Sequence, residues 1–249
     1  MNDTAQRVAL VTGGTRGIGS AIARRLLADG WRVAVCGRRL PDAPVAANAS
    51  EAVAIVADIR DPQAAQLLID EVMERFGRLD LLVNNAGGAP KADLAESSTG
   101  LIDKVVALNL VAPLYLCRAA YEALRTTHGS VVNIASISGQ RPSPGTVAYG
   151  AAKAGLLSAT ESLAMEWGPD IRVNAVVVGL VENPEQIEHY GGAEGVARIS
   201  ATVPLKRMAR GADVAAAVAW LASADASYVT GARIAVHGGG EPPAFLTLA

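Results

Sequence analysis

Residues 8–26, VALVTGGTRGIGSAIARRL, constrain this chain more than any other stretch. They run from a β-branched strand through a glycine-rich turn into an amphipathic helix. Gly13, Gly17 and Gly19 allow the backbone to reverse tightly and to come close to a pyrophosphate. The charge of that group would then meet the unpaired N–H groups at the helix start. The spacing is G-x-x-x-G-x-G, distinct from the common dinucleotide pattern G-x-G-x-x-G. Glycines in a turn also serve plain chain reversal, so the strand before and the helix after carry the argument.

The same alternation continues along the chain. Candidate strands lie at 7–12, 32–36, 52–57, 79–84, 130–136, 171–178 and 233–237, and candidate helices at 18–29, 62–76, 100–125, 149–167 and 212–222. Short apolar strands separated by helices predict an α/β, three-layer architecture: a doubly wound parallel sheet of about seven strands with helices on both faces. Gly30 and Gly77 fall just past helix ends and act as stops. The crossover after Cys36 contains two prolines and little periodicity, which predicts a loop or one helical turn. No repeat or linker divides the 249 residues, so the chain reads as a single domain, 1–249, with 180–205 as a substrate lid.

Charge excludes one class of partner. Lys plus Arg total 22 against 24 Asp plus Glu, and the arginines are scattered, so no basic field exists for nucleic acid. Cys36 and Cys117 stand far apart with no metal-ligand spacing, which speaks against a disulfide framework or a metal site and for a reducing cytoplasm. The N-terminal apolar run is too short for a signal peptide, and the stretch VVALNLVAPLYLC is broken by Asn109 and Pro113, so no membrane span is expected.

Within GTVAYGAAKAG, residues 145–155, Tyr149 and Lys153 are one helical turn apart among small residues that leave room for a ligand. A free phenol ionises near pH 10, and a neighbouring ammonium favours the phenolate, so Lys153 is expected to lower Tyr149. Pro113 cannot donate to the Asn109 carbonyl, which predicts a bent helix with that carbonyl open to water.

These motifs together resemble the short-chain dehydrogenase/reductase family: Thr12-Gly13…Gly17-Ile18-Gly19, then NNAG at 84–87, then Ser136 thirteen residues before Tyr149-x-x-x-Lys153. The resemblance runs from residue 7 to about 240 and implies a Rossmann-like fold and hydride transfer between a nicotinamide dinucleotide and a secondary alcohol or ketone. It implies Ser136, Tyr149, Lys153 and Asn109 as catalytic residues. Tyr149 would move the proton, Ser136 would bond the reacting oxygen, and Lys153 would also hold the nicotinamide ribose. Asn109 would join a water-borne proton relay to Lys153. The implied cofactor contacts are Gly13, Thr15, Arg16, Gly17, Ile18, Gly19, Asp58, Ile59, Asn85, Ala86, Gly87, Tyr149, Lys153, Gly179 and Val181. Asp58 matches a position facing the adenine and also reads as a helix N-cap. The pattern departs at Val178 and Asn183, where the family usually has Pro and Thr, and at His237, where many relatives have Asp.

Gly37 closes the second strand where NAD sites place a carboxylate, and Arg38 and Arg39 follow, with Arg16 in the glycine turn. Guanidinium groups grip phosphate through paired hydrogen bonds, so NADP(H) is preferred, with NAD(H) possible; the arginines also read as ordinary solvated charges. The lid residues Ile187, His189, Tyr190, Val196, Ile199 and Val203 suggest a bulky hydrophobic ketone or alcohol, steroid-like or a 3-oxoacyl thioester, although such residues also serve core packing. The family resemblance implies a homotetramer (or homodimer) paired through the helices of Asn109 and Tyr149, and the apolar character of the end EPPAFLTLA, 241–249, suits it to cover a neighbouring subunit. Two further readings stand beside the reductase. One is a non-catalytic dinucleotide-binding regulator, which would be expected to lack Tyr149 or Lys153. The other is a dehydratase or epimerase, against which the short chain counts.

Overall fold

The structure is a computed structural model describing residues 6–182 and 191–241. Seven strands form one parallel sheet: β1 (Val8–Thr12), β2 (Arg32–Gly37), β5 (Val53–Val56), β6 (Leu81–Asn84), β7 (Ser130–Ser136), β8 (Arg172–Val178) and β9 (Arg233–Val236). Their order is β5-β2-β1-β6-β7-β8-β9. The order reverses direction between β1 and β6, and at such a point the strand ends part to leave a crevice. Val8, Ala9, Leu10 and Val11 are fully buried because helices cover both faces. On one face α1 (Gly17–Ala28) and α7 (Gly211–Leu221) bury Ile22, Leu26, Val214 and Val218. On the other, α2 (Pro62–Phe76) and α4 (Ala112–Thr126) bury Leu68, Val72, Leu116 and Leu124, and α5 (Val147–Trp167) lies over β7 and β8.

One local expectation is corrected and two are made more specific. The crossover after β2 is the expected loop rather than a helix, and it carries a two-residue antiparallel ladder, β3 (Ala46–Ala47) with β4 (Ser50–Glu51), turned by Asn48 at φ +53°. Asp58 is not the cap of α2. Asp61 is, accepting from the Gln63 N–H at 2.8 Å with Pro62 at the first helical position. Part of the connection 180–205 is helical, as α6 (Gly192–Thr202). Asn183, Ile187, His189 and Tyr190, together with 242–249, lie outside the described residues.

The predicted irregularity before Pro113 is a wide π-helical turn, Ala107–Val111, between α3 (Thr99–Val106) and α4. The Ala112 N–H reaches back five residues to the Ala107 carbonyl. Pro113 therefore sits at the start of the next helix, where no N–H is needed. The whole run Thr99–Thr126 is, by length and composition alone, long and apolar enough to cross a membrane, despite the interruption expected to prevent it. In the fold one face of it packs into the core through Ala112, Leu116, Cys117 and Ala120.

Cys36 and Cys117 are buried, and burial pushes both thiols up to about 12. A thiol held neutral in the folded chain but ionising near 9 when unfolded contributes stability that is complete below pH 9 and lost as pH rises towards 12. The protein is therefore expected to weaken steeply above pH 9. Denaturant titrations at pH 8 and 10.5 should show a smaller loss for the Cys36→Ala/Cys117→Ala variant than for the native chain.

Candidate active site

The crevice begins at the end of β1. Thr12 is buried, and its hydroxyl donates to the Val83 carbonyl (3.3 Å) while accepting from the N–H groups of Asn85 and Ala86 (both 3.0 Å). The Asn85 amide returns the connection, donating to the carbonyls of Thr12 (2.8 Å) and Gly13 (3.3 Å). Two turns distant in sequence are thus stitched into one floor. Gly13 and Gly17 adopt φ +61° and +54°, which favours glycine. A Cβ at Gly19 would lie 2.3 Å from the Gly13 carbonyl oxygen and 2.5 Å from Asn85 Nδ2, so only glycine lets α1 start this close. Arg16 stands at the N-cap of α1 but gives the helix no side-chain capping bond, and no acidic residue occupies the first turn. The helix start is left as an anion-binding end.

Beside it, β2 ends at Gly37, where a Cβ would meet Thr15 Oγ1 at 3.1 Å. Arg38 and Arg39 follow, both exposed and without a hydrogen bond or ion pair among the described residues. Asp58 emerges next to them from β5 and is gripped by Arg60. Gly179 and Val181 lie past the end of β8; Gly179 donates to the Val236 carbonyl (3.1 Å), and Val181 bridges to Ala209.

The reacting centre lies at the ends of β6 and β7. Ser136 is the last residue of β7 and opens a 3₁₀ turn, accepting from the Ser138 N–H at 3.2 Å. It faces the Tyr149 phenol on α5. Lys153, one turn on, is 3 % exposed; its ammonium donates to the Ile134 carbonyl at 2.8 Å and lies 5.7 Å from the Tyr149 ring centroid. Asn109 is fully buried in the π-helical turn, pinned to Gly88 N–H and C=O and to the Val105 carbonyl, all at 2.9 Å. A Cβ on Gly87 would fall 2.7 Å from Asn109 Oδ1 and 3.2 Å from Lys153 Nζ. The NNAG turn therefore passes between these two groups because Gly87 has no side chain. Ser136, Tyr149, Lys153 and Asn109 converge on one place.

The electrostatics differ from expectation. Burial pushes the Tyr149 phenol up, with Ser136 opposing it; Lys153 does not lower it, since its hydrogen bond goes to Ile134. Burial likewise lowers Lys153 to about 8. Desolvation outweighs pair attraction here.

Sequence reasoning missed Thr12 as the anchor of the floor and Arg60 as the partner of Asp58. The first is signalled by Thr before the turn glycine, the second by the two-residue Asp-x-Arg spacing.

A family model described as enoyl-(acyl carrier protein) reductase matches residues 13–241. A Streptomyces violaceoruber protein named ketoacyl reductase 2 of the granaticin polyketide synthase is 40 % identical, over 93 % of this chain and 95 % of its own. The chain is a short-chain dehydrogenase/reductase. Solved structures agree with that membership. An actinorhodin polyketide ketoreductase crystallised with NADPH is similar at TM-score 0.85 and 34 % identity, covering 94 % of this chain and 97 % of its own. The ligand-free aldohexose dehydrogenase of Thermoplasma acidophilum is similar at TM-score 0.89 and 28 % identity, covering 95 % and 94 %. This short-chain dehydrogenase/reductase is an NAD(P)-dependent oxidoreductase acting on CH–OH groups of small alcohols or on the corresponding carbonyls.

Proposed function

We propose that the enzyme is an NADP(H)-preferring carbonyl reductase acting on hydrophobic ketones or 3-oxoacyl thioesters. The observation that carries this reading is geometric: Ser136, Tyr149, Lys153 and Asn109 converge at the ends of β6 and β7, with the Ser136 hydroxyl facing a protonated phenol that can donate.

The residues present fit a nicotinamide dinucleotide. A Cβ at Gly17 would meet open space, so the turn leaves room beside the uncapped start of α1, which suits a pyrophosphate. Gly13, Thr15, Arg16, Gly17, Ile18 and Gly19 would hold the pyrophosphate, Asp58 and Ile59 the adenine, and Asn85, Ala86 and Gly87 the adenosine side. Gly179 and Val181 would offer backbone contacts to the nicotinamide amide. When bound, the cofactor supplies or receives the hydride.

The chain's own residues handle the proton. The Ser136 hydroxyl bonds the substrate oxygen and fixes it against the Tyr149 phenol, which donates its proton as the carbonyl becomes an alcohol. Lys153 would hold the nicotinamide ribose and, through the Asn109 turn, would reload Tyr149 from water; in the reverse direction Tyr149 would take the proton back. Bare Gly37 with Arg38 and Arg39 favours the 2′-phosphate. Residues 180–205 act as the substrate lid within a single domain. The outer faces of α4 and α5, which present Leu114, Tyr121, Leu163 and Trp167 around a groove, suit pairing with another copy.

The test follows absorbance of the reduced cofactor over a panel of hydrophobic ketones, 3-oxoacyl thioesters and aldohexoses. Expected are turnover of the first two classes and a kcat/KM about tenfold or more higher with NADPH than with NADH, the scale of one phosphate–guanidinium contact. Turnover of sugars alone, or a clear NADH preference, would reject the corresponding half of the reading.

A further inference from the structure

The strand ends that flank the adenosine crevice carry more charge than the phosphate loop alone explains. β2 and β5 pair in parallel with Gly37 opposite Val56, and the Ala57 N–H donates to the Gly37 carbonyl at 3.0 Å. Arg38 and Asp58 therefore leave the sheet side by side. A carboxylate in that place has two adverse effects on a 2′-phosphate: it repels the anion, and it competes for the arginine that should hold it.

Arg60 prevents both. Its Nε donates to Asp58 Oδ1 at 2.8 Å, its Nη2 contacts Asp58 Oδ2, and its backbone N–H donates to Oδ1 at 3.2 Å. The fork thus occupies both oxygens, the geometry in which a guanidinium binds a carboxylate best. Arg60's hydrogen bond and charge, followed by the charge of Arg38, hold the Asp58 carboxyl below its usual range. Arg38 itself is exposed and makes no hydrogen bond or ion pair among the described residues. Its donors stay available although a carboxylate stands beside it.

We propose that Arg60 is a specificity-determining residue for the nucleotide. By occupying both oxygens of Asp58, it keeps Arg38 open to a 2′-phosphate and screens that phosphate from the carboxylate. This rests on the NADP(H) reading above. Arg60 acts through Asp58 and need not touch the nucleotide.

The test uses calorimetric binding of 2′,5′-ADP and of 5′-AMP to the full chain, read as the ratio of the two dissociation constants. The ratio cancels any change in contact with the shared adenine. Arg60→Gln is expected to lower the preference for 2′,5′-ADP about tenfold, the scale of one uncompensated charge near a phosphate. Asp58→Asn/Arg60→Gln is expected to restore the ratio to within about threefold of the native value, since no carboxylate then needs a partner. Asp58→Asn alone, which needs no Arg60 to neutralise it, is expected to keep or raise the ratio, and serves if Arg60→Gln fails to fold. An Arg60→Gln variant that weakens both ligands equally, or an Asp58→Asn variant that lowers the ratio, overturns the proposal. A native chain that binds the two ligands equally overturns the NADP(H) reading and the proposal with it. A native preference that survives Arg60→Gln unchanged overturns the proposal alone.

Discussion

Tyr149→Phe is expected to lower ketone reduction by about 10²–10⁴-fold, the range that a positioned proton donor supplies. NADPH binding, measured by calorimetry, should stay within about twofold, because the lost hydroxyl faces Ser136 and the reacting oxygen. The pH profile of the native enzyme carries a second signature. Burial keeps the phenol protonated beyond its ordinary range, so reduction should not fall as pH approaches 10 for want of a proton on Tyr149. Alcohol oxidation needs the phenolate and should rise over the same interval. Turnover that survives the loss of the hydroxyl would remove the proton-transfer role.

Lys153→Met is expected to separate stability from activity. In the folded chain Lys153 is 3 % exposed and its pKa falls to about 8, from 10.5. That depression is a cost of burying charge, present in full below pH 8 and fading as pH rises to 10.5, where both states lose the proton. A shift of that size corresponds to roughly 3 kcal/mol. The variant also leaves the Ile134 carbonyl without its 2.8 Å donor, which returns about 1–2 kcal/mol. Denaturant unfolding of nucleotide-free protein at pH 7 should therefore show the variant about 1–2 kcal/mol more stable, with the gain gone by about pH 9.5 and reversed near pH 10.5, where only the lost hydrogen bond counts. Reduction should fall by about 10²-fold or more as the ribose contact and the proton path are lost. A variant that is less stable at pH 7 would mean that the lysine is held at no net cost.

The path from residues to this site was legible where a residue type has few physical alternatives. Gly13 and Gly19 between a strand and a helix allow a tight turn and a close helix start that other residues would block, and the Tyr149–Lys153 interval places both groups on one helix face. The break before Pro113 was legible as strain, but not as a five-residue π-helical turn, because proline says where a helix must yield and not how. The cap of α2 was misplaced for a similar reason. Asp58 and Asp61 both precede the helix, and only the chain path shows that Arg60 takes one while Gln63 takes the other. The direction of the Tyr149 shift could not be read from spacing, since it depends on how much water the surrounding layers exclude. Burial is a property of the assembled fold, and helical neighbours alone do not report it.

The hydroxyl of Thr12 joins partners 73 and 74 positions away. The nucleotide pocket is therefore a product of long-range closure, absent until distant parts of the chain have met. Ligand that recognises this pocket binds only the completed topology, and its binding energy is shared by the entire cooperative unit. At a hundred times its dissociation constant such a ligand adds about 2.7 kcal/mol against global unfolding. Resistance to unfolding is therefore expected to rise with the concentration of the coenzyme.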